Sequence, residues 1–345
     1  MYFNSQRKST KPNGFGGFIA TVLITGGTGF IGSHTVEHFL QQGFDVHCII
    51  RPGRRDLGWL TNLPVTVIQS DLMKIDTLHA LVNSFDYIVH IAGITKAVRK
   101  KDFFEGNVET TRHLLEFALQ STRLKKILFM GSLTAVGPSP DGFPFDESAP
   151  CRPITSYGVS KLEAEQLCLS YRDRLPIVVL RPPAVYGPRD RDILEFFRWI
   201  RWGYLPIVAE AGKTLNIIHA QDLARAALLA TTSDAAVGKV YFASNEEITS
   251  FEELGTILAG IAQKKITHLP IPVPLMYGIA GIAQTISTLL NKPPLLNVEK
   301  VRDFAVKHWV CSPNRIRQDL GFSSEIPLQA GLEKTYRWYK AQGWL

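Results

Sequence analysis

Two periodicities of hydrophobic and polar residues alternate along this chain of 345 residues. Short β-branched runs are followed by helix-length segments in which apolar residues recur at helical spacing. The predicted strands cover residues 21–24, 45–50, 65–69, 87–91, 126–130 and 177–180. Strands that alternate with amphipathic helices are typical of a parallel sheet covered by helices on both faces. The pattern therefore predicts an α/β protein with a doubly wound parallel sheet.

After about residue 188 the pattern loosens into a smaller mixed α/β region. Its predicted helices cover residues 193–202, 222–231 and 250–263, and its predicted strands cover 215–219 and 240–243. A proline-rich linker is predicted at residues 270–274. At the other end of the chain, residues 1–18 lack the apolar core of a signal peptide and are expected to form a flexible leader.

Residues 266–291 contain no Asp, Glu, Lys or Arg, and residues 275–290 within them favour an apolar helix. This helix is short for a membrane span and is interrupted by Gly, Gln, Ser and Thr. Three interpretations stay open. The helix is a buried core element, an apolar wall or lid over a substrate, or a contact of residues 272–290 with a membrane surface.

The composition limits the compartment, the partners and the metal content that the protein can be expected to have, but it does not identify the function. A hydrophobic content of 45% is sufficient for a large core, and four cysteines without metal or disulfide spacing favour a reducing cytoplasm. The net charge of +7 comes partly from basic clusters at residues 51–55 and 99–101. No basic helix or aromatic platform accompanies this charge, so nucleic acid is not an expected partner. No metal site is expected, because His, Cys and carboxylates do not fall at metal-ligand spacing.

A glycine-rich motif follows the first predicted strand and opens a helix. A turn of this kind brings backbone N–H groups and a helix N-terminus close to a pyrophosphate. The candidate dinucleotide-binding residues in this motif are Gly26, Thr28, Gly29, Phe30, Ile31 and Gly32.

A second motif places Tyr157 and Lys161 four residues apart, which is one face of a helix. A lysine at this position is expected to lower the pKa of the phenol, so that the phenol exchanges a proton with a carbinol near neutral pH.

Together, in this order and spacing, the two motifs resemble the extended short-chain dehydrogenase/reductase superfamily, which includes the NAD-dependent epimerase/dehydratase family. The resemblance implies a Rossmann-type domain at residues 19–188. It also implies a mainly substrate-binding region at 189–345, some segments of which return to the first sheet. The implied catalytic residues are Ser132, Tyr157, Lys161 and Asn107. Alternatives are that Asn107 only caps a helix, that Ser132 is a turn residue, and that Thr134 supplies the hydroxyl.

The resemblance also implies further contacts with a nicotinamide cofactor. Lys161 would hold the cofactor ribose, and Asp71 would meet the adenine amino group. The remaining implied contacts are Leu72, Ile91, Ala92, Gly93, Pro182 and Val185.

The end of the second predicted strand bears on the choice between NAD(H) and NADP(H). A carboxylate there binds the 2′-hydroxyl of the adenine ribose, whereas an arginine accommodates a 2′-phosphate. This chain has no acid at the strand end but has Arg51, with Arg54 or Arg55 in support. NADP(H) is therefore favoured, and a solvated basic loop is the alternative.

The substrate class follows from what the motifs lack. Leu133 and Thr134 replace the Asp-Glu pair of the sugar dehydratases, and Ala184 replaces the asparagine that contacts a nucleotide-sugar diphosphate in related enzymes. The segment 181–190 resembles instead the branch with 3β-hydroxysteroid dehydrogenases and dihydroflavonol reductases. We therefore expect an oxidoreductase acting on an apolar alcohol or ketone.

Two other functions stay open. One is a nucleotide-sugar epimerase, whose diphosphate would be held by a basic cluster of Arg189, Arg191, Arg198 and Arg201. The other is a non-catalytic dinucleotide-binding relative. A cytoplasmic homodimer is the expected form, and association with a membrane surface is the alternative location.

Overall fold

The computed structural model of the protein describes residues 20–54, 56–208, 212–290, 294 and 296–345. The predicted leader at residues 1–18 and Arg55 lie outside the described residues. The central sheet consists of β1 (Thr21–Thr25), β2 (Asp45–Ile50), β3 (Thr66–Gln69), β4 (Tyr87–His90), β5 (Lys126–Met130), β6 (Ile177–Arg181) and β10 (Val240–Phe242). These strands lie in the order β10-β6-β5-β4-β1-β2-β3, and all neighbours are parallel. The predicted doubly wound parallel sheet is confirmed.

Helices cover both faces of this sheet because each central strand is apolar on both sides. The α-helices are α1 (Phe30–Gln41), α2 (Lys100–Phe104), α3 (Thr110–Ala118), α4 (Ser156–Ser170), α5 (Asp192–Arg201), α6 (Ala220–Thr232), α7 (Phe251–Ala262), α8 (Val273–Leu290), α9 (Val298–Ala305), α10 (Asn314–Leu320) and α11 (Leu328–Ala341). On one face, Phe39 of α1 and Ala227 of α6 pack against Val22 and Ile24 of β1. On the other face, α3 and α4 pack against a core that includes Leu23.

The region after residue 188 has two smaller sheets. One contains β7 (Ala184–Tyr186), β9 (Thr214–His219), β11 (Ile248–Ser250) and β13 (His308–Trp309), with both parallel and antiparallel pairs. The other pairs β8 (Tyr204–Val208) with β12 (Thr267–Ile271). Strand β10 and helix α6 come from this same part of the sequence but belong to the central sheet and its covering layer.

The predicted proline-rich linker at residues 270–274 is wrong. Pro270 and Ile271 lie in β12, and α8 begins two residues later. Pro270 cannot donate a ladder hydrogen bond, but both strands of a two-stranded sheet are edge strands, where proline is tolerated. Pro274 lies in the first turn of α8, where the backbone N–H has no partner within the helix. The prolines therefore end one element and begin the next.

Helix α8 is mostly exposed, so its interpretation as a buried core helix is wrong. Only Met276, Ala280 and Ser287 are buried along its 18 residues. It is long and apolar enough, by length and composition, to cross a membrane, although such a helix alone is weak evidence for a span. Its exposed apolar residues are Leu275, Ile279, Ile282, Ile286, Leu289 and Leu290. Spacings of four and three residues place most of them on one face, which we call the α8 stripe.

Candidate active site

The glycine turn between β1 and α1 is closely packed against the loop that follows β4. Gly26 has a φ of +74°, and a Cβ at this position would lie 2.7 Å from the backbone nitrogen of Ala92. A Cβ on Gly32 would lie 2.1 Å from the carbonyl oxygen of Gly26. Glycine is therefore required at both positions, and the turn can hold its compact shape at the carboxyl edge of the sheet.

The N-terminus of α1 fits a bound pyrophosphate. Gly29 precedes the helix, and none of the described side chains caps its first turn. The N–H groups that a cap would otherwise use are thus free to bind an anion. Thr28, Phe30 and Ile31 complete this turn, so the structure brings together the six residues that the glycine motif predicts.

Arg54 extends from the end of β2 to the glycine turn. Its Nη1 donates a hydrogen bond to Thr28 Oγ1 at 3.1 Å, and its Nε donates to the carbonyl oxygen of Asp56 at 2.9 Å. Arg51 lies at the same edge of the sheet and is exposed. Both arginines therefore stand beside the predicted dinucleotide site.

The residues after β3 and β4 lie at this same edge. The N–H of Ala92 donates to Thr25 Oγ1 at 3.1 Å, which holds the segment with Ile91 and Gly93 next to the glycine turn. Asp71 accepts a hydrogen bond from the N–H of Met73 at 2.9 Å and so caps the 3₁₀ helix Leu72–Leu81. The contact of Asp71 with adenine stays a prediction.

Asn107 links the loop after β4 to α4. It lies in a π-helical turn, Glu105–Glu109, where the wider helix directs its side chain inward. Its Oδ1 accepts from the N–H of Ile94 at 2.7 Å, and its Nδ2 donates to Ser160 Oγ at 2.9 Å. The alternative that Asn107 only caps a helix is wrong, because the residue is buried within a continuous helical run.

Ser132 follows β5 and faces the Tyr157 phenol. Ser132 Oγ accepts hydrogen bonds from the N–H of Thr134 at 3.2 Å and from Thr134 Oγ1 at 2.8 Å. Ser132 also lies within hydrogen-bonding reach of the Tyr157 side chain, whose pKa it lowers. Ser132 is thus both a turn residue and a neighbour of the phenol, and Thr134 supports it through two hydrogen bonds.

Tyr157 and Lys161 lie in the first two turns of α4, which Thr155 caps through the N–H of Gly158. The ring of Phe103 packs against Tyr157, with 6.2 Å between ring centroids. Lys161 Nζ donates to the carbonyl oxygen of Met130 at 2.5 Å. Lys161 is therefore buried and Tyr157 is half-buried, one helical turn apart at the carboxyl edge of β5.

The prediction that Lys161 lowers the pKa of Tyr157 is wrong for this structure. Burial raises the pKa of the Tyr157 phenol to about 12, and the hydrogen bond with Ser132 opposes only part of that rise. Burial also lowers the pKa of Lys161 to about 8. The lysine is engaged by the Met130 carbonyl rather than by the phenol. At neutral pH the phenol is consequently protonated.

Sequence reasoning missed a buried ion pair behind these residues. Glu165 lies one turn after Lys161 on α4, and its Oε2 accepts from Arg181 Nε at 3.0 Å. Both side chains are buried. Glu165 continues the i, i+4 spacing of Tyr157 and Lys161, which is the signal that would have found it. The pair joins α4 to the end of β6, just before Pro182.

The strand exit beyond β6 carries the remaining predicted residues. The carbonyl oxygen of Pro182 accepts from the N–H of Leu133 at 2.8 Å, which ties this exit to the Ser132 turn. Val185 is half-buried in β7, and Ala184 is exposed. Within the described ranges, no group of three or more His, Cys, Asp or Glu is placed to hold a metal ion.

The four arginines that would hold a diphosphate do not converge. Arg189 pairs with Glu37 of α1 and lies over the Trp59 ring, 5.1 Å from its centroid. Arg191 lies over the ring of Trp344, and Arg198 bonds Glu195 on its own helix at 2.6 Å. Arg201 is exposed at the end of α5. The predicted basic cluster is therefore wrong.

This arrangement, a Rossmann sheet with a glycine turn and a Ser-Tyr-Lys set, defines an extended short-chain dehydrogenase/reductase. Residues 22–243 match the NAD dependent epimerase/dehydratase family. Because this match spans more than half of the chain, the protein belongs to that family and is an enzyme. The alternative of a non-catalytic relative therefore does not hold.

Individual relatives cover nearly the full chain. The ceramide reductase of Caulobacter vibrioides is 27% identical over 326 residues, which cover 94% of this chain and 96% of the relative. The 3 beta-hydroxysteroid dehydrogenase type 7 of Mus musculus is 26% identical, with coverage of 92% and 95%. A solved UDP-glucuronic acid 4-epimerase from Bacillus cereus, in complex with NAD, has a TM-score of 0.75 at 24% identity, with coverage of 93% and 99%. The likeness to this structure shows the fold alone.

Proposed function

We propose that this enzyme is an NADP(H)-preferring oxidoreductase that interconverts a ketone and an alcohol on a fairly apolar small molecule. The observation that carries the proposal is the protonated Tyr157 phenol beside the hydroxyl of Ser132. A bound nicotinamide would supply or accept the hydride. The residues of this chain would bind the reacting oxygen and move its proton.

Ser132 would orient the substrate oxygen. Its Oγ already accepts two hydrogen bonds from Thr134, so its own proton can point towards a carbonyl oxygen. In the direction of reduction, Tyr157 would then donate its proton to the forming alkoxide. Lys161 would hold the cofactor ribose and place its positive charge near the phenolate that results.

The apolar character of the substrate is supported by three features. Phe103 packs against the reacting phenol, Ala184 offers no polar contact, and three of the four candidate arginines have partners elsewhere. The names of two relatives, a ceramide reductase and a 3 beta-hydroxysteroid dehydrogenase, agree with lipid-like substrates.

A nucleotide-sugar epimerase is the second candidate, and one observation favours it. Lys96 and Lys300 both approach the exposed Asp192, at 3.5 and 3.7 Å, so two ammonium groups lie near each other. Such a pair can bind a diphosphate.

A substrate panel distinguishes the two candidates. The enzyme would be incubated with NADPH and a hydroxysteroid ketone or long-chain ketone, and separately with NAD⁺ and UDP-glucuronic acid or UDP-glucose. We expect net oxidation of NADPH with an apolar ketone. Epimerised sugar without net change in cofactor absorbance would overturn the oxidoreductase and establish the epimerase.

The preference for NADP(H) is supported by Arg51 and Arg54. Arg54 is held over the glycine turn by Thr28, and Arg51 is exposed at the end of β2, where a 2′-phosphate would lie. No carboxylate follows Ile50 directly. A charge-assisted contact with phosphate would therefore outweigh the loss of a hydroxyl contact.

We further propose that the α8 stripe contacts the surface of an anionic lipid bilayer. Ile282 is 65% exposed and Leu289 is 81% exposed, which is unusual for side chains of this kind. The exposed Lys264 and Lys265 precede β12, and the exposed Trp202 and Tyr204 lie beside its start. Apolar, aromatic and basic residues on connected elements are typical of membrane-surface binding.

The proposed location is therefore the cytoplasmic side of a membrane, with four unpaired cysteines in keeping with a reducing compartment. A homodimer remains a prediction from the family. Sedimentation analysis of the detergent-free enzyme would test it.

A further inference from the structure

Helix α9 is fixed against the start of α4, immediately before Tyr157. Glu299 accepts hydrogen bonds from the N–H of Ser156 at 3.0 Å and from Ser156 Oγ at 2.6 Å. Arg302 Nη1 donates to the carbonyl oxygen of Ile154 at 2.9 Å. These contacts hold α9 at a defined distance from the catalytic tyrosine.

Asp303 lies on α9 four residues after Glu299, and this spacing places both acidic residues on the same face of the helix. Its negative charge raises the pKa of Tyr157. Its backbone carbonyl accepts a hydrogen bond from Trp309 Nε1 at 3.2 Å, which fixes the end of the helix. The position of Asp303 is therefore set on both sides by contacts that do not involve its carboxyl group.

The carboxyl group of Asp303 lacks a partner for one oxygen. Oδ1 is buried and accepts no hydrogen bond from any described residue. The cations of the same helix are directed elsewhere, Lys300 to Asp192 at 3.7 Å and Arg302 to Ile154. Burial accordingly dominates and raises the pKa of Asp303 to about 7.

A buried acceptor without a donor is rare in folded proteins, because its desolvation is not compensated. The group lies one helical turn after Glu299, on the α9 face that is fixed against Ser156, the residue before Tyr157. A donor on a ligand would satisfy it. The nearby positive charges of Lys300 and Arg302 disfavour an ammonium donor, which leaves a neutral hydroxyl or N–H group.

We propose that Asp303 forms a substrate-binding subsite that accepts a hydrogen bond from a hydroxyl or amide N–H group near the reacting carbon. The proposal rests on the proposed function, since that function places the reacting oxygen between Tyr157 and Ser132. The substrate class becomes narrower: an apolar ketone or alcohol that carries a second, neutral hydrogen-bond donor beside the reacting carbon.

The test compares two ketones that differ only in this donor, 1-hydroxy-2-dodecanone and 2-dodecanone, each reduced with NADPH. We expect wild-type kcat/KM to favour the hydroxyketone by roughly tenfold, which is typical of one satisfied buried acceptor. Asp303→Leu should bring this ratio close to one. Asp303→Asn keeps an acceptor oxygen of the same size and should retain part of the preference.

NADP⁺ titration and thermal unfolding verify that each variant is folded and binds cofactor. If Asp303→Leu does not fold, Asp303→Asn still decides the matter, with an expected fall of about threefold in the ratio. A wild-type ratio near one, or a ratio that the variants leave unchanged, overturns the subsite while the oxidoreductase stands. If neither ketone binds or reacts, the proposed function fails and the subsite fails with it.

Discussion

At the scale of single residues, burial decides the protonation states of the reacting groups. The Tyr157 phenol is protonated at neutral pH because burial raises its pKa to about 12. A protonated phenol is the form that donates to an alkoxide, so the structure as it stands is prepared for reduction. Oxidation would require a phenolate, which the ammonium of Lys161 would have to stabilise.

Removal of the phenolic oxygen tests the role of Tyr157. Tyr157→Phe keeps the ring against Phe103 but removes the proton donor, so turnover should fall by roughly 10²–10⁴ while cofactor affinity is kept. Steady-state kinetics and NADP⁺ titration would measure both. Tyr171→Phe, at the end of the same helix, serves as the control. Undiminished turnover in Tyr157→Phe would contradict the mechanism.

Lys161 gives the stability of the protein a dependence on pH. Its pKa is about 8 when folded and about 10.5 when unfolded, so its burial penalty is complete below pH 8 and disappears as the pH rises towards 10.5. Lys161→Met should therefore be more stable than wild type at pH 7, by about 3 kcal/mol, and lose most of this advantage by pH 10. Urea unfolding at several pH values would measure the difference. A constant difference would show that the folded lysine has an ordinary pKa.

Lys161→Met should also bind NADP(H) more weakly and turn over more slowly, because methionine has no ammonium group to hold the cofactor ribose.

Arg51 tests the preference for NADP(H). Arg51→Ala should weaken NADP(H) binding by roughly tenfold or more and leave NAD(H) binding almost unchanged, because only the former carries the 2′-phosphate. Isothermal titration with both nucleotides would measure this. Arg172→Ala, just beyond the C-terminal end of α4, is the control. Equal losses for both nucleotides would make Arg51 a stacking or surface residue.

The sequence was sufficient to identify the functional residues that belong to short motifs. Gly26, Gly32, Tyr157 and Lys161 could be found because their spacing reflects local geometry. Asp303 could not, since it is far from those motifs in the sequence and is brought to the start of α4 only through the packing of α9. The direction of the Tyr157 pKa shift also depends on burial, which a motif does not reveal.

At the scale of elements, the pair Glu165–Arg181 joins α4 to β6. Glu165→Gln would leave the buried guanidinium of Arg181 without a counter-charge, which should lower the free energy of unfolding by about 3 kcal/mol. Glu163→Gln, exposed on the same helix, should change it by less than about 0.5 kcal/mol. Denaturant unfolding would compare the two. An equally small effect in Glu165→Gln would mean that water solvates the Arg181 guanidinium once the carboxylate is lost.

The α8 stripe is the element whose partner can be tested most directly. Ile282→Glu with Leu289→Glu should reduce binding to vesicles of anionic phospholipid by tenfold or more, because two exposed apolar side chains would no longer be buried. Flotation of the enzyme with the vesicles would measure this. Gln284→Glu adds a charge away from the stripe and should have a smaller effect. If wild type does not float, the stripe is covered by something other than lipid.

Element boundaries were predictable where a periodicity ended sharply. The predicted helix at 193–202 differs from α5 by one residue at each end. Residues 270–274 were not predictable in this way, because proline is compatible with an edge strand and with a first helical turn as well as with a linker. Only the pairing of β12 with β8 decides between them.

At the scale of the whole molecule, the fold collects the site from distant parts of the sequence. The sheet order reverses between β1 and β4, and the carboxyl ends of both strands meet at the glycine turn. Alternating strands and helices were enough to predict this sheet. The positions of α8 and α9 were not predictable, because they depend on contacts with α4 and with each other rather than on a repeated pattern.

The edge position of β10 constrains how the protein folds during synthesis. The strand that completes the sheet beside β6 ends at Phe242, so the sheet cannot be finished until about two thirds of the 345 residues have been made. Until then β6 presents an open edge, and the face that α6 later covers remains apolar and exposed. A fragment that ends near residue 188 would stay in this condition. The nascent chain is thus an expected client of ribosome-associated chaperones, although the finished enzyme is well packed.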